Sequence, residues 1–240
     1  MTTRIPAFLI GCYLGKFVFE KKEVTLEEMH KILLADWNGY EKLRTRILHS
    51  PNKYGNGIKE VDFYAKQIVH YCSTIINLHP NGRGGFFVTS GHTAKQYFDL
   101  GKKTGATPDG RKAGMEMSKN LSPTMGMDRT GVTALVRSAT QINTQDLPDD
   151  YPLDVLMHPA TVQGDDGLDA MVAVMRTYMD RGGIAVHFNV FDAEMLEDAQ
   201  RHPENYENLQ VRVCGWNVRF NDMPKAEQDA FITRAKNAAE

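Results

Sequence analysis

The 240 residues are 42% hydrophobic and 24% charged, enough apolar material for one large domain or two small ones. A net charge of −2 and a pI near 6.5 speak against nucleic acid or an anionic membrane surface as partner, and no apolar run approaches a membrane span. Three cysteines in a chain of this length make no disulfide framework and fit a reducing cytoplasm.

The first twelve residues hold one arginine and a brief apolar stretch, too short for the core of a signal segment. Thr25 and Glu28 form a capping box that opens a helix running to about Trp37, and a second helix occupies residues 40–49 before Ser50-Pro51 stops it. A third spans about 59–78, with Val61, Tyr64, Ala65, Ile68, Val69, Ile75 and Ile76 at helical spacing. The glycine-rich stretch 79–85 is a loop; it lacks the Gly-Lys-Ser/Thr ending of a phosphate cradle. Residues 86–89 read as a short strand, 132–142 as a helix, and Leu153–Met157 as a strand after the Pro/Asp-rich turn 146–152. Asp165-Asp166 fits either a cation site or, more simply, the caps of the next helix.

That helix covers 168–179, with Met171, Val174, Met175 and Tyr178 inward as core. A strand at 184–190, a helix at 193–200, a strand-like run at 211–220 and a closing helix at 228–235 complete the series. Such alternation implies a layered or barrel-like α/β arrangement. There is no internal repeat, low-complexity tract or linker, and the eight histidines show no metal spacing, so no bound metal or cofactor is expected. Cys12 and Cys72 fit small buried hydrophobes on helices.

One feature of the 211–220 run stands out. Gly215 interrupts an apolar strand between Cys214 and Trp216, and glycine there marks a bend, a bulge or a close backbone approach. The run Arg212-Val213-Cys214-Gly215-Trp216, followed by Phe220-Asn221 and a helix with Gln228 and Arg234, resembles the C-terminal signature of the glycyl radical enzymes, the pyruvate formate-lyase-like family. Further segments resemble the same family in order: Gly105-Ala106-Thr107-Pro108-Asp109-Gly110-Arg111, Asn120-Leu121-Ser122-Pro123, Gly182-Gly183 through Asn189-Val190, and 199–209. The chemistry explains the glycine. A radical on the alpha carbon is shared across the neighbouring amide groups, which requires a flat centre that a beta carbon would crowd.

The resemblance implies an α/β fold that is the C-terminal half of a ten-stranded barrel of the pyruvate formate-lyase type, with residues 1–190 as barrel and 191–240 as glycine radical domain. It implies a radical on Gly215, shielded by Arg212, Val213, Cys214, Trp216 and Phe220, installed by an activating enzyme that uses adenosylmethionine and an iron–sulfur cluster. It further implies a catalytic cysteine that this chain lacks, supplied by an N-terminal half or a full-length enzyme, and cleavage of a carbon–carbon or carbon–heteroatom bond. Gly110 and Arg111 would brace the substrate side. A non-catalytic spare part that replaces a damaged radical domain, or an inactive truncated piece, are the alternatives.

Two positions depart from the family pattern. Ala185 and His187 stand where many members carry His and Gln, and Met157-His158-Pro159 differs from a common Asn-x-Lys-x-x-Pro. His187 either faces the active cavity as acid or base or packs between sheet and helix. With His158, it leaves the substrate open.

Overall fold

The computed structural model describes residues 3–4, 18–93, 96–124, 126–213 and 216–239. Cys12, Cys214 and Gly215 lie outside the described residues. The first α-helices of the described chain are two short ones, α1 (Leu26–Leu34) and α2 (Glu41–Leu48). The expected capping box is present: the Thr25 hydroxyl accepts from the Glu28 amide at 3.1 Å, and the Glu28 carboxylate accepts from the Thr25 amide at 2.7 Å. The helix ends three residues short of Trp37, which has φ +65° and is fully buried with Met29, Ile32 and Ile47 in a small core of its own.

Helix α3 (Lys59–Ile76) buries Val61, Ala65 and Val69 against the central core, a narrower stripe than the spacing suggests. Tyr64 and Ile75 face outward, and Cys72 is half-buried rather than core. The expected strand at 86–89 is shorter and later: Phe86 only bridges Pro80, and β2 (Thr89–Ser90) pairs in parallel with β1 (Thr3–Arg4). The reason is local. The Asn81 side chain accepts from the Arg83 and Gly85 amides and ties the glycine-rich loop into a tight turn. Helix α4 (Gln96–Lys103), absent from the sequence reading, follows, then α5 (Val132–Ala139).

The parallel pair β3 (Leu153–Met157) and β4 (Val186–Val190) is the centre of the molecule, joined by α6 (Gly164–Asp180) in a strand–helix–strand crossover. Helix α6 starts at Gly164, earlier than the pattern suggests. Asp165 and Asp166 therefore occupy its first turn instead of capping it, where the helix dipole favours carboxylates. Leu153, Val155, Met157, Val186 and Phe188 pack with α3, α5 and Tyr178 of α6 in the largest core cluster. Helix α7 (Ala193–Arg201) begins at an Asp192 cap and leads to the antiparallel hairpin β5 (Gln210–Val213) and β6 (Trp216–Arg219), then α8 (Lys225–Ala239). Phe191, Leu196, Val211, Phe220, Phe231 and Ile232 close a second core around this C-terminal part. The fold is α/β.

Candidate functional site

The hairpin register sets the geometry of the site. Val211 faces Val218, and Val213 faces Trp216, so only Cys214 and Gly215 connect the two strands. Alternation turns Val211 inward, 1% exposed, and the strand pairing continues as the Phe220 amide donates to the Leu209 carbonyl at 2.9 Å. Phe220, expected as a shield, is fully buried in the second core. Arg212 is half-buried, and its guanidinium donates to Asn217 across the hairpin at 3.0 Å.

The hairpin is fastened at both ends. On β4, the Asn189 side chain accepts from the Arg212 amide at 2.9 Å and donates to the Arg212 carbonyl at 3.4 Å. A side-chain amide here does what a neighbouring strand would do, with Asn189 only 2% exposed. At the other end, Gln228 of α8 donates to the carbonyls of Phe220 and Met223, at 3.0 and 3.1 Å. Asn221 donates to the carbonyls of Pro203 and Tyr206. The glutamine of the closing helix, noted from sequence, thus staples the turn that follows β6.

Beside Asn189 lies a buried charged cluster that the sequence reading did not identify. Asp154 of β3 sits opposite His187 of β4. Its Oδ1 is 3.2 Å from His187 Nδ1 and 3.5 Å from Lys119 Nζ, and its Oδ2 accepts from Asn120 Nδ2 at 2.6 Å. Ser122 completes the cage by donating to the Asp154 carbonyl and accepting from its amide. Asp154 is fully buried and Lys119 4% exposed. One signal was present in the sequence, a carboxylate inside the apolar strand Leu153–Met157. His158 is elsewhere: it caps the short turn Pro159–Val162, its Nδ1 accepting from the Ala160 amide.

Gly110 and Arg111 form a second locus. The turn closes through Thr107 and Arg111, and Gly110 takes φ +95°, a region that only glycine enters freely. The Arg111 guanidinium donates to the carbonyls of Thr104, Gly105 and Met115, bracing its own loop. The Gly110 carbonyl accepts from Arg44 at 2.7 Å, and the Asp109 carbonyl from Lys53 at 3.1 Å. Burial lowers the Lys53 ammonium to about 8, opposed by nearby Asp109. A cavity of about 350 Å³ lies between this turn, Phe98, Met127 and the α8 residues Asp229 and Thr233. Among the described residues no group of three or more His, Cys, Asp or Glu is placed to hold a metal, and no helix is long and apolar enough to cross a membrane.

Comparison with known proteins agrees with this layout. The glycine radical family model matches residues 117–221, and the pyruvate formate lyase-like model matches 14–101. The chain is 31% identical to trans-4-hydroxy-L-proline dehydratase of Clostridioides difficile, over 91% of this chain and 28% of that protein. It is also 31% identical to indoleacetate decarboxylase of Tractidigestivibacter scatoligenes, over 95% of this chain and 25% of the other. Among solved structures, the glycerol-bound B12-independent glycerol dehydratase from Clostridium butyricum superposes with a TM-score of 0.87 at 33% identity, covering 93% of this chain and 28% of that one. The hydroxyproline dehydratase from Clostridioides difficile gives 0.88 at 30% identity, covering 93% and 28%. The chain therefore spans about a quarter of the length of these relatives, whose remaining parts it does not contain. Its fold is that of the C-terminal part of their barrel, with the radical hairpin attached. The chain belongs to the glycyl radical enzymes of the pyruvate formate-lyase-like family and represents their radical-bearing C-terminal portion.

Proposed function

We propose that this chain stores an unpaired electron on Gly215 and passes it to a catalytic cysteine outside it, on another polypeptide or on an upstream region, for cleavage of a carbon–carbon or carbon–heteroatom bond. The observation that carries the reading is the match of the glycine radical model to residues 117–221, a stretch that includes Gly215 and the paired strands β5 and β6 on either side of it in sequence. Residues 191–240 serve as the glycine radical domain and 1–190 as barrel wall. Arg212, Val213, Cys214, Trp216 and Phe220 shield the radical, while Gly110, Arg111, His158 and His187 belong to the substrate side. A radical adenosylmethionine enzyme with an iron–sulfur cluster installs the radical, since radical chemistry depends on a reagent that the fold positions and protects.

Anaerobic treatment with such an activase, in the presence of the missing half, is expected to yield an electron paramagnetic resonance doublet that Gly215→Ala abolishes. Air should then cut the backbone at Gly215, giving a short C-terminal piece on a denaturing gel. A folded, paired chain that shows neither signal would disprove the assignment.

A further inference from the structure

The side chains of β3 and β4 divide between two environments. Leu153, Val155, Met157, Val186 and Phe188 enter the central core, whereas Leu156 packs against the C-terminal core beneath the radical hairpin. Strand periodicity places Asp154, His187 and Asn189 on that second face with Leu156, since 154 pairs with 187 and 156 with 189. A strand face covered in this way is apolar by default. Here three of its four positions are polar, and one is a carboxylate with no exposure at all.

The wiring of that face is asymmetric. Asp154 is held by Asn120, Ser122 and Lys119, so its position is fixed without the histidine. His187 has Asp154 as its hydrogen-bond partner through Nδ1 alone, and Nε2 bonds nothing among the described residues. An oxygen lying beside the Lys119 ammonium is an acceptor, so Nδ1 is the donor and, in the neutral ring, Nε2 is the bare lone pair. The His187 side chain keeps 13% exposure. Two residues along the same face, Asn189 grips Arg212 at the root of the hairpin that carries Gly215.

We propose that His187 is a proton-transfer residue of the assembled enzyme, presenting Nε2 on the strand face that the radical hairpin covers, with Asp154 and Lys119 as positioning residues. The matching substrate is a small molecule whose reacting carbon bears, or adjoins, a hydroxyl or carboxyl group. In the step, the substrate O–H bond breaks, its electron pair stays on oxygen, and an N–H bond forms at Nε2. The imidazolium so made lies against the Asp154 carboxylate, and no oxidant or reductant is consumed. The inference rests on the radical reading for the chemistry at this strand face, but the state of the ring does not.

The test uses the full chain with ¹⁵N-labelled histidine, His187→Gln assigning the resonances. His187 is expected as the Nδ1–H tautomer, with Nε2 at the shift of an unprotonated nitrogen, and Asp154→Asn should erase that preference. Diethyl pyrocarbonate, which acylates an accessible imidazole lone pair, should modify His187 in the native chain, read by peptide mass mapping. A ring protonated at Nε2, or one that resists acylation as a closed structural histidine would, overturns the proposal. The electron paramagnetic resonance doublet of activated His187→Gln is expected to persist, and its absence in the native chain would count against the radical reading while leaving the ring's tautomer standing.

Discussion

Asp62 is 1% exposed on α3, and among the described residues neither its Oδ1 nor the nearby Tyr54 hydroxyl has a hydrogen-bond partner. Burial raises its carboxyl to about 6, and the Ser138 hydroxyl only partly offsets this. The folded value exceeds the ordinary 3.8, so the fold favours the protonated form. Its stability contribution is intact below about pH 4 and is lost as pH rises through 6. Two units correspond to about 3 kcal/mol. Asp62→Asn should therefore raise the melting temperature at pH 7.5, and the gain should vanish at pH 4; an equal gain at both values would refute the carboxyl as its source. Asn189 gives a sharper local test. Removing its side chain strands the Arg212 amide, a loss of about 1–3 kcal/mol, and hydrogen exchange at that amide should accelerate in Asn189→Ala while α3 keeps its protection.

Elements were legible where local chemistry decides them. Thr25 and Glu28 announced α1, and Thr25→Ala is expected to cost about 1 kcal/mol, seen in urea melts. Helix α6 packs Tyr178 so closely on Gly183 that an added Cβ would enter the ring. Gly183→Ala should then destabilise by about 1–3 kcal/mol through overpacking; an unchanged melting curve would show that the ring yields freely. Helix α4 was not legible, because only two of its eight residues, Tyr97 and Gly101, are buried and no full apolar stripe forms. The Lys119–Asp154–His187 cluster was hidden for another reason. Its successive members are 35 and 33 residues apart along the chain, and only the parallel register of β3 and β4 brings two of them face to face. The strands of the β5–β6 hairpin were partly readable, because a glycine inside an apolar strand-like run marks a bend.

At the scale of the molecule, the described strands pair only in twos, and β4 ends in Val190, 37% exposed. Helix α3 and its exit leave Phe63, Tyr64, Tyr71, Ile75 and Leu78 in water, a surface of the kind that marks interaction sites. The chain alone should bind a hydrophobic dye and self-associate at micromolar concentration, and the missing half should suppress both in sedimentation runs. If dye binding survives pairing, this surface belongs to some other contact.

The double fastening of the radical hairpin has a consequence for damage. Backbone pairing of β5 with β6, the Asn221 bonds to the carbonyls of Pro203 and Tyr206, the Gln200–Gln228 bond and the shared core hold residues 216–239 by contacts that do not pass through Gly215. A chain severed there would be nicked without being shed, and its tail would stay seated until the second core melts. Repair by swapping in a fresh tail would then be limited by unfolding of the old one, and the broken piece would go undetected by native chromatography.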